Sequence, residues 1–116
     1  MWFQKVLGNP DRYLYIGDLD GLPIGQVRFD PVDSQHLDSI FEVSISLDPD
    51  MRGKGLAVPL LLAAEETFTK SIKAAALHAY VNPDNAASQG LFQSAGYSIV
   101  WPSDSEPHWW VKEINV

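Results

Sequence analysis

Within Ile40 to Leu47 polar and apolar residues alternate, with Phe41, Val43, Ile45 and Leu47 on one side and Glu42, Ser44 and Ser46 on the other. That spacing is a strand's, with one face buried, and it stops at Asp48-Pro49. The next apolar set changes period. Leu56, Leu60, Ala64 and Phe68, flanked by Ala57 and Leu61, fall on one face of a helix predicted over residues 56–71. Pro59 lies in its first turn, where a missing N–H costs little. Upstream, residues 2–7 read as a short amphipathic helix stopped by Gly8-Asn9-Pro10. Residues 12–18 and 24–29 read as strands joined by an Asp20-Gly21 hairpin turn, and residues 30–38, polar and interrupted by Pro31, as a loop. Beyond the long helix, residues 73–81 are apolar and strand-like. Asn82 and Pro83 then supply an N-cap and a first helical position for a second helix, which runs to about Ser94 and stops at Gly96. Residues 97–101 and 109–114 read as closing strands around a loop at 102–107. A crossover through the long helix makes the strands on either side of it parallel, while the earlier strands are antiparallel. The expected fold class is α/β (α+β), a mixed sheet with helices packed on it.

Composition narrows the function classes. A chain of 116 residues makes one domain with a real core. Its net charge of −7, with Lys and Arg scattered apart from the Arg52/Lys54 pair, argues against nucleic acid as a partner. The absence of cysteine removes disulfides, thiol nucleophiles and zinc–thiolate sites. No signal-peptide pattern or long apolar run is present, so the expectation is a cytoplasmic protein without a membrane partner.

Between the strand at 40–47 and the helix at 56–71 lies Arg52-Gly53-Lys54-Gly55-Leu56-Ala57. Two glycines let the backbone turn tightly and approach a ligand. The helix start presents free N–H groups and the positive end of its dipole, and Arg52 and Lys54 add charge beside it. The combination suits a pyrophosphate; two turn glycines among solvated charges is the plainer alternative.

This loop, preceded by Leu47-Asp48-Pro49-Asp50-Met51, resembles motif A of the GNAT acyltransferase superfamily, an Arg/Gln-x-x-Gly-x-Gly/Ala loop. Downstream, Asn85-Ala86-Ala87-Ser88-Gln89-Gly90-Leu91-Phe92-Gln93-Ser94-Ala95-Gly96-Tyr97 resembles motif B. Together the motifs cover a resemblance over residues 11–114. It implies a GNAT-like sheet whose parallel pair splays at the cofactor site, and transfer of an acetyl group from acetyl-CoA to a primary amine, with no metal. By the same resemblance, backbone amides of Arg52, Gly53, Lys54, Gly55, Leu56 and Ala57 hold the CoA pyrophosphate. Ile45 and Leu47 pair with the pantetheine arm, and Asn85, Ser88 and Phe92 line the same cleft.

Two departures bear on mechanism. Many family members carry Tyr where this chain has Phe92, and there the hydroxyl is taken to protonate the leaving thiolate; unassisted departure, or a water or Ser88 as donor, are the alternatives here. The family also begins with an extra strand and helix, and only about ten residues precede the strand near Arg12. The single domain, residues 1–116, is therefore expected to lack them, and the edge left open invites a homodimer.

The candidate catalytic residues are Glu42 and Ser44, on the polar face of the strand at 40–47, with Glu42 as the base. A solvated strand carboxylate is the plainer reading of Glu42. His78 has a suitable intrinsic pKa, whereas His36 and His108, in or beside loops, offer less. Arg28 could meet an anionic acceptor, and Ile24-Gly25-Gln26-Val27-Arg28-Phe29 looks similar to enzymes that acetylate amino groups of nucleotide-linked sugars. A small metabolite amine and a protein N-terminus are the other acceptors. Trp109 and Trp110 must point to opposite faces of their strand, so at most one of them lines a given site. The competing readings are a non-catalytic acyl-CoA-binding module, supported by Phe92, and a scaffold without ligand.

Overall fold

A computed structural model describes residues 2–6, 13–32, 40–100 and 108–114, excepting the side chains of 2–6 and 108. Ten elements follow one another: β1 (Trp2–Val6), β2 (Tyr13–Leu19), β3 (Leu22–Pro31), β4 (Ile40–Leu47), a 3₁₀ turn (Pro49–Met51), α1 (Ala57–Ser71), β5 (Ala76–Val81), α2 (Ala86–Ser94), β6 (Ser98–Ile99) and β7 (His108–Glu113). The strands form one 7-stranded sheet in the order β1-β2-β3-β4-β5-β7-β6. All neighbours are antiparallel except β4 and β5, the pair that α1 crosses between. The β2–β3 turn is the expected one: Asp20 and Gly21 both take positive φ, 53° and 84°, which matches a two-residue hairpin to the twist of its strands.

The core lies where α1 meets the sheet. Leu60, Leu61, Ala64 and Phe68 are buried along the stripe that the helical spacing predicts. Phe68 is the hub. Its ring stacks on Phe29 at 4.2 Å between centroids and meets Phe41 edge-on at 4.9 Å and Tyr13 at 5.2 Å. Glu65 sits in the same stripe, 5% exposed. Its carboxylate accepts from the Tyr97 hydroxyl at 2.8 Å and from Lys112 Nζ at 2.7 Å, and Lys112 also donates to the Ala95 carbonyl at 2.8 Å. These bonds tie α1 to the end of α2 and to β7.

Two sequence expectations are corrected. Residues 2–7 are not a helix: Trp2–Val6 pairs antiparallel with β2 from Trp2↔Asp18 to Val6↔Leu14. A ladder along an otherwise open edge outweighs the weak preference of so short a helix. A strand therefore precedes β2, and β1 is the edge of the sheet on that side. The linking residues 7–12 lie outside the described residues, as do His36, most of the loop at 30–38 and the loop at 101–107. The second correction concerns the start of α2. Asn82 does not cap it; its Oδ1 accepts from the Asp84 N–H at 2.8 Å, closing a turn through Pro83. Asn85 is the N-cap, its Oδ1 accepting from the Ser88 N–H at 3.1 Å. At the other end Gly96 (φ 97°) completes the expected stop: its N–H donates to the Gln93 carbonyl and that of Tyr97 to Phe92.

Candidate acyl-transfer site

The site begins where the sheet comes apart. β4 and β5 pair only through Ile40↔Ala76, Phe41↔Leu77 and Glu42↔His78. Beyond that point β4 stays with β3 as far as Leu47 and β5 stays with β7 as far as Val81. The wedge between them leaves a backbone edge on each side without a strand to satisfy it.

Gly25 helps to fix the β4 wall. A Cβ there would lie 2.5 Å from the Ser46 carbonyl oxygen and 3.0 Å from Leu60 Cδ2. Only glycine lets β3 approach the end of β4 so closely under α1. The Asp48 N–H then donates to the Ile24 carbonyl at 2.9 Å, and the chain turns away into the basic loop. Gly53 and Gly55 adopt φ of 76° and 72°, with open space around both. Backbone sign, not crowding, calls for glycine at these positions. Leu56 precedes α1 without a side-chain cap, so N–H groups of the first turn stay available.

Two cavities that share Ile45, Asn85 and Ser88 lie along the wedge. The larger, about 410 Å³, is lined by Ile45, Ser46 and Leu47 of β4, by Arg52 and Ala57, and by Asn85, Ala87, Ser88 and Leu91 from α2 and its cap. The second, about 190 Å³, takes Glu42, Val43, Ser44 and Ile45 from β4, Tyr80 and Val81 from β5, and Asn82, Asn85, Ser88 and Phe92 below them. A more open depression of about 260 Å³ shares Ser46 and Leu47 with the larger cavity; its lining has one ionisable side chain, Asp48.

The structure thus brings Ile45, Leu47, Arg52, Ala57, Asn85 and Ser88 to one cavity and Glu42, Ser44 and Phe92 to the adjoining one. Gly53, Lys54 and Gly55 form the exposed turn between Arg52 and the helix, and the Leu56 side chain packs against the core, so these four offer backbone only or, at Lys54, a mobile charge. Among the described residues no carboxylate pairs with Arg52 or Lys54. Asn85, a lining residue of both cavities, spends its carbonyl oxygen on the helix cap, and its amide NH2 has no partner among the described residues. Phe92 is 4% exposed and meets the Tyr97 ring edge-on at 5.0 Å, a packing role with one side on the cleft.

His78 lines neither cavity. Burial pushes its imidazole below the ordinary value, with Glu42 across the β4–β5 pair partly opposing the shift. Arg28 is also withdrawn. Its Nε donates to Asp30 Oδ2 at 2.8 Å, which offsets the charge an anionic acceptor would need. Trp109 and Trp110 do face opposite ways: Trp110 is buried, while Trp109 meets Tyr80 and His78 on the other face. Sequence reasoning overlooked Tyr80. Its signal was its place in β5, one strand step beyond His78 on the same face.

A model of the acetyltransferase (GNAT) family matches residues 1–97. No curated protein matches the sequence. Solved structures with this fold include the GNAT domain of S. lividans PAT, at TM-score 0.75 and 20% identity over 90% of this chain and 61% of that one. Aminoglycoside acetyltransferase AAC(6')-Ib, in complex with coenzyme A and kanamycin, gives TM-score 0.75 and 18% identity over 89% of this chain and 67% of that one. Campylobacter jejuni N-acetyltransferase PseH, in complex with acetyl coenzyme A, gives 0.76 and 18% over 92% and 71%. The chain therefore spans less than two thirds of the first of these neighbours. With the family model matching most of its length, over the stretch that holds the wedge and the basic loop, the chain belongs to the acetyltransferase (GNAT) family.

Proposed function

We propose that this protein transfers the acetyl group of acetyl-CoA to a primary amine of a small acceptor. The observation that carries the reading is the β4–β5 wedge, which runs from a helix start without a side-chain cap, beside Arg52 and Lys54, to a carboxylate, Glu42. The neighbours crystallised with coenzyme A or acetyl coenzyme A share this fold. The residues present fit such a ligand. N–H groups from Arg52 to Ala57 donate to a pyrophosphate, with Arg52 and Lys54 supplying charge. The open edge of β4 at Ile45 and Leu47 bonds peptide-like groups as an added strand would. The Asn85 amide and the Ser88 hydroxyl face the same space.

Acetyl-CoA supplies the acetyl carbon and a thiol leaving group. An amine is protonated at neutral pH, so a base must take its proton before attack. The Glu42 carboxylate, half-buried on the wedge wall with the Ser44 hydroxyl beside it, is that base, directly or through one water. Glu42→Gln is expected to lower kcat about 100-fold or more and to remove the acidic limb of the pH–rate profile, with coenzyme A binding retained. Thiol release measured across a panel of primary amines reads this. An unchanged rate and profile would show that Glu42 is not the base.

Phe92 favours a second reading, an acyl-CoA-binding module without turnover, because the aromatic position of α2 has no proton to give. Tight coenzyme A binding with no thiol release above background for any amine would support it.

A further inference from the structure

We infer that Tyr80 is the proton donor to the departing thiolate, taking from β5 the role that the α2 aromatic, Phe92, is unable to fill. The inference rests on the transfer reading above and deepens it.

Tyr80 and Glu42 line the same cavity of about 190 Å³, one from β5 and the other from β4, and Phe92 of α2 lines it as well. Both lie on the sheet face away from α1: Glu42 is in register with His78, and Tyr80 is one strand step further on. The wedge therefore holds a group that takes a proton and a group that gives one, on either side of the space where the acyl end of the ligand must lie.

The Tyr80 ring is held while its hydroxyl is left available. Trp109, the cross-strand partner of Tyr80 on β7, packs edge-on against it at 4.7 Å and 69°. The residue is 51% exposed, and among the described residues nothing hydrogen-bonds its hydroxyl. A cavity-lining phenol with its ring against an indole and no hydrogen-bond partner among the described residues is free to give its proton.

Chemistry selects Tyr80 over Ser88, the other hydroxyl in the cavity. Phenols and thiols ionise in overlapping ranges, about 10 and about 8.5, so a proton passes between them at little cost. An aliphatic hydroxyl holds its proton far more tightly. The step balances as follows. The amine nitrogen–carbon bond forms and the carbon–sulfur bond breaks, with sulfur keeping the electron pair. Sulfur takes the Tyr80 proton; nitrogen, made neutral before attack when Glu42 passes its ammonium proton to solvent, loses its second proton to the carboxylate so freed. Solvent at the exposed ring returns a proton to the Tyr80 oxygen and receives the one on Glu42.

The test is Tyr80→Phe, which deletes one exposed oxygen. Thiol release from acetyl-CoA is followed with spermidine, kanamycin and glucosamine as probe amines and with water alone, and coenzyme A binding is titrated separately. The expected result is a fall in kcat of about 100-fold, with the KM for the amine and the Kd for coenzyme A within about twofold of wild type. Ser88→Ala is expected to lose less than Tyr80→Phe. Adding Phe92→Tyr to Tyr80→Phe is expected to restore at least tenfold, because it returns a phenol to the same cavity; if that variant does not fold, the kcat-against-KM split of Tyr80→Phe decides alone. A Tyr80→Phe enzyme with wild-type kcat, or with its loss confined to KM, overturns the assignment and leaves the transfer reading intact. Wild-type protein that binds coenzyme A but releases no thiol overturns both, and failure to bind coenzyme A overturns the cofactor reading on which they stand.

Discussion

Gly25 carries more of the site than its size suggests. Its missing side chain lets the Ser46 carbonyl and Leu60 occupy the space a Cβ would take, and Ser46 lines the larger cavity. Gly25→Ala must displace the backbone at Ser46 and push the Leu60 side chain aside. The expected cost is about 1–3 kcal/mol, read as a lower urea midpoint at constant m. Gly53 and Gly55 differ in kind, for no atom approaches them and only their positive φ excludes other residues. Sequence alone marks all three positions as glycine without separating these causes. Glu42 and Ser44 were legible because strand alternation puts them on one face; Tyr80 was not, because its value depends on which strand lies across the wedge. Likewise the sequence shows an exposed-strand Arg28 but not the Asp30 carboxylate that pairs with it two residues on.

At the scale of elements, the strongest periodicities held. The Ile40–Leu47 alternation became β4, and the 60, 61, 64, 68 stripe became the buried face of α1. Short and locally ambiguous segments did not. Residues 2–6 carry too few residues for either period to dominate, and pairing with β2 decided them. At the start of α2, Asn82 and Asn85 both offer a cap, and the Pro83 turn consumed the first. The Glu65–Tyr97–Lys112 cluster, which joins α1, α2 and β7, was hidden for another reason: a carboxylate in an apolar stripe reads as an interruption until its partners are in place. This cluster has a pH signature. Burial, with Glu65 beside it, pushes the Tyr97 phenol well above its ordinary 10.0. The folded state thus holds that proton more tightly than the unfolded chain. The contribution is fully present below pH 10 and is lost as pH rises through and beyond that value. Tyr15 is raised in the same direction by its own burial. Urea midpoints taken from about pH 9 to 11 should therefore fall, and Tyr97→Phe should make the fall shallower. An equal slope in the variant would show that Tyr97 does not contribute.

On the scale of the whole molecule, all of these features converge on one opening. The sheet is continuous on both sides of the β4–β5 wedge, the loop before α1 and residues of α2 line it, and Glu42 and Tyr80 line one cavity within it. In a chain of net charge −7, Arg52 and Lys54, which pair with no carboxylate among the described residues, put local positive charge where the proposed pyrophosphate would sit. The most direct measurement is the melting temperature with and without acetyl-CoA, for the wild type and for Arg52→Ala. At about a hundred times Kd the ligand should stabilise the wild type by ~2.7 kcal/mol, a shift on the order of 10 °C or less for a domain of this size, and Arg52→Ala should need a higher concentration for the same shift. No shift in the wild type at millimolar acetyl-CoA would contradict the account at its centre, because the wedge and the basic loop would then hold no ligand of this class.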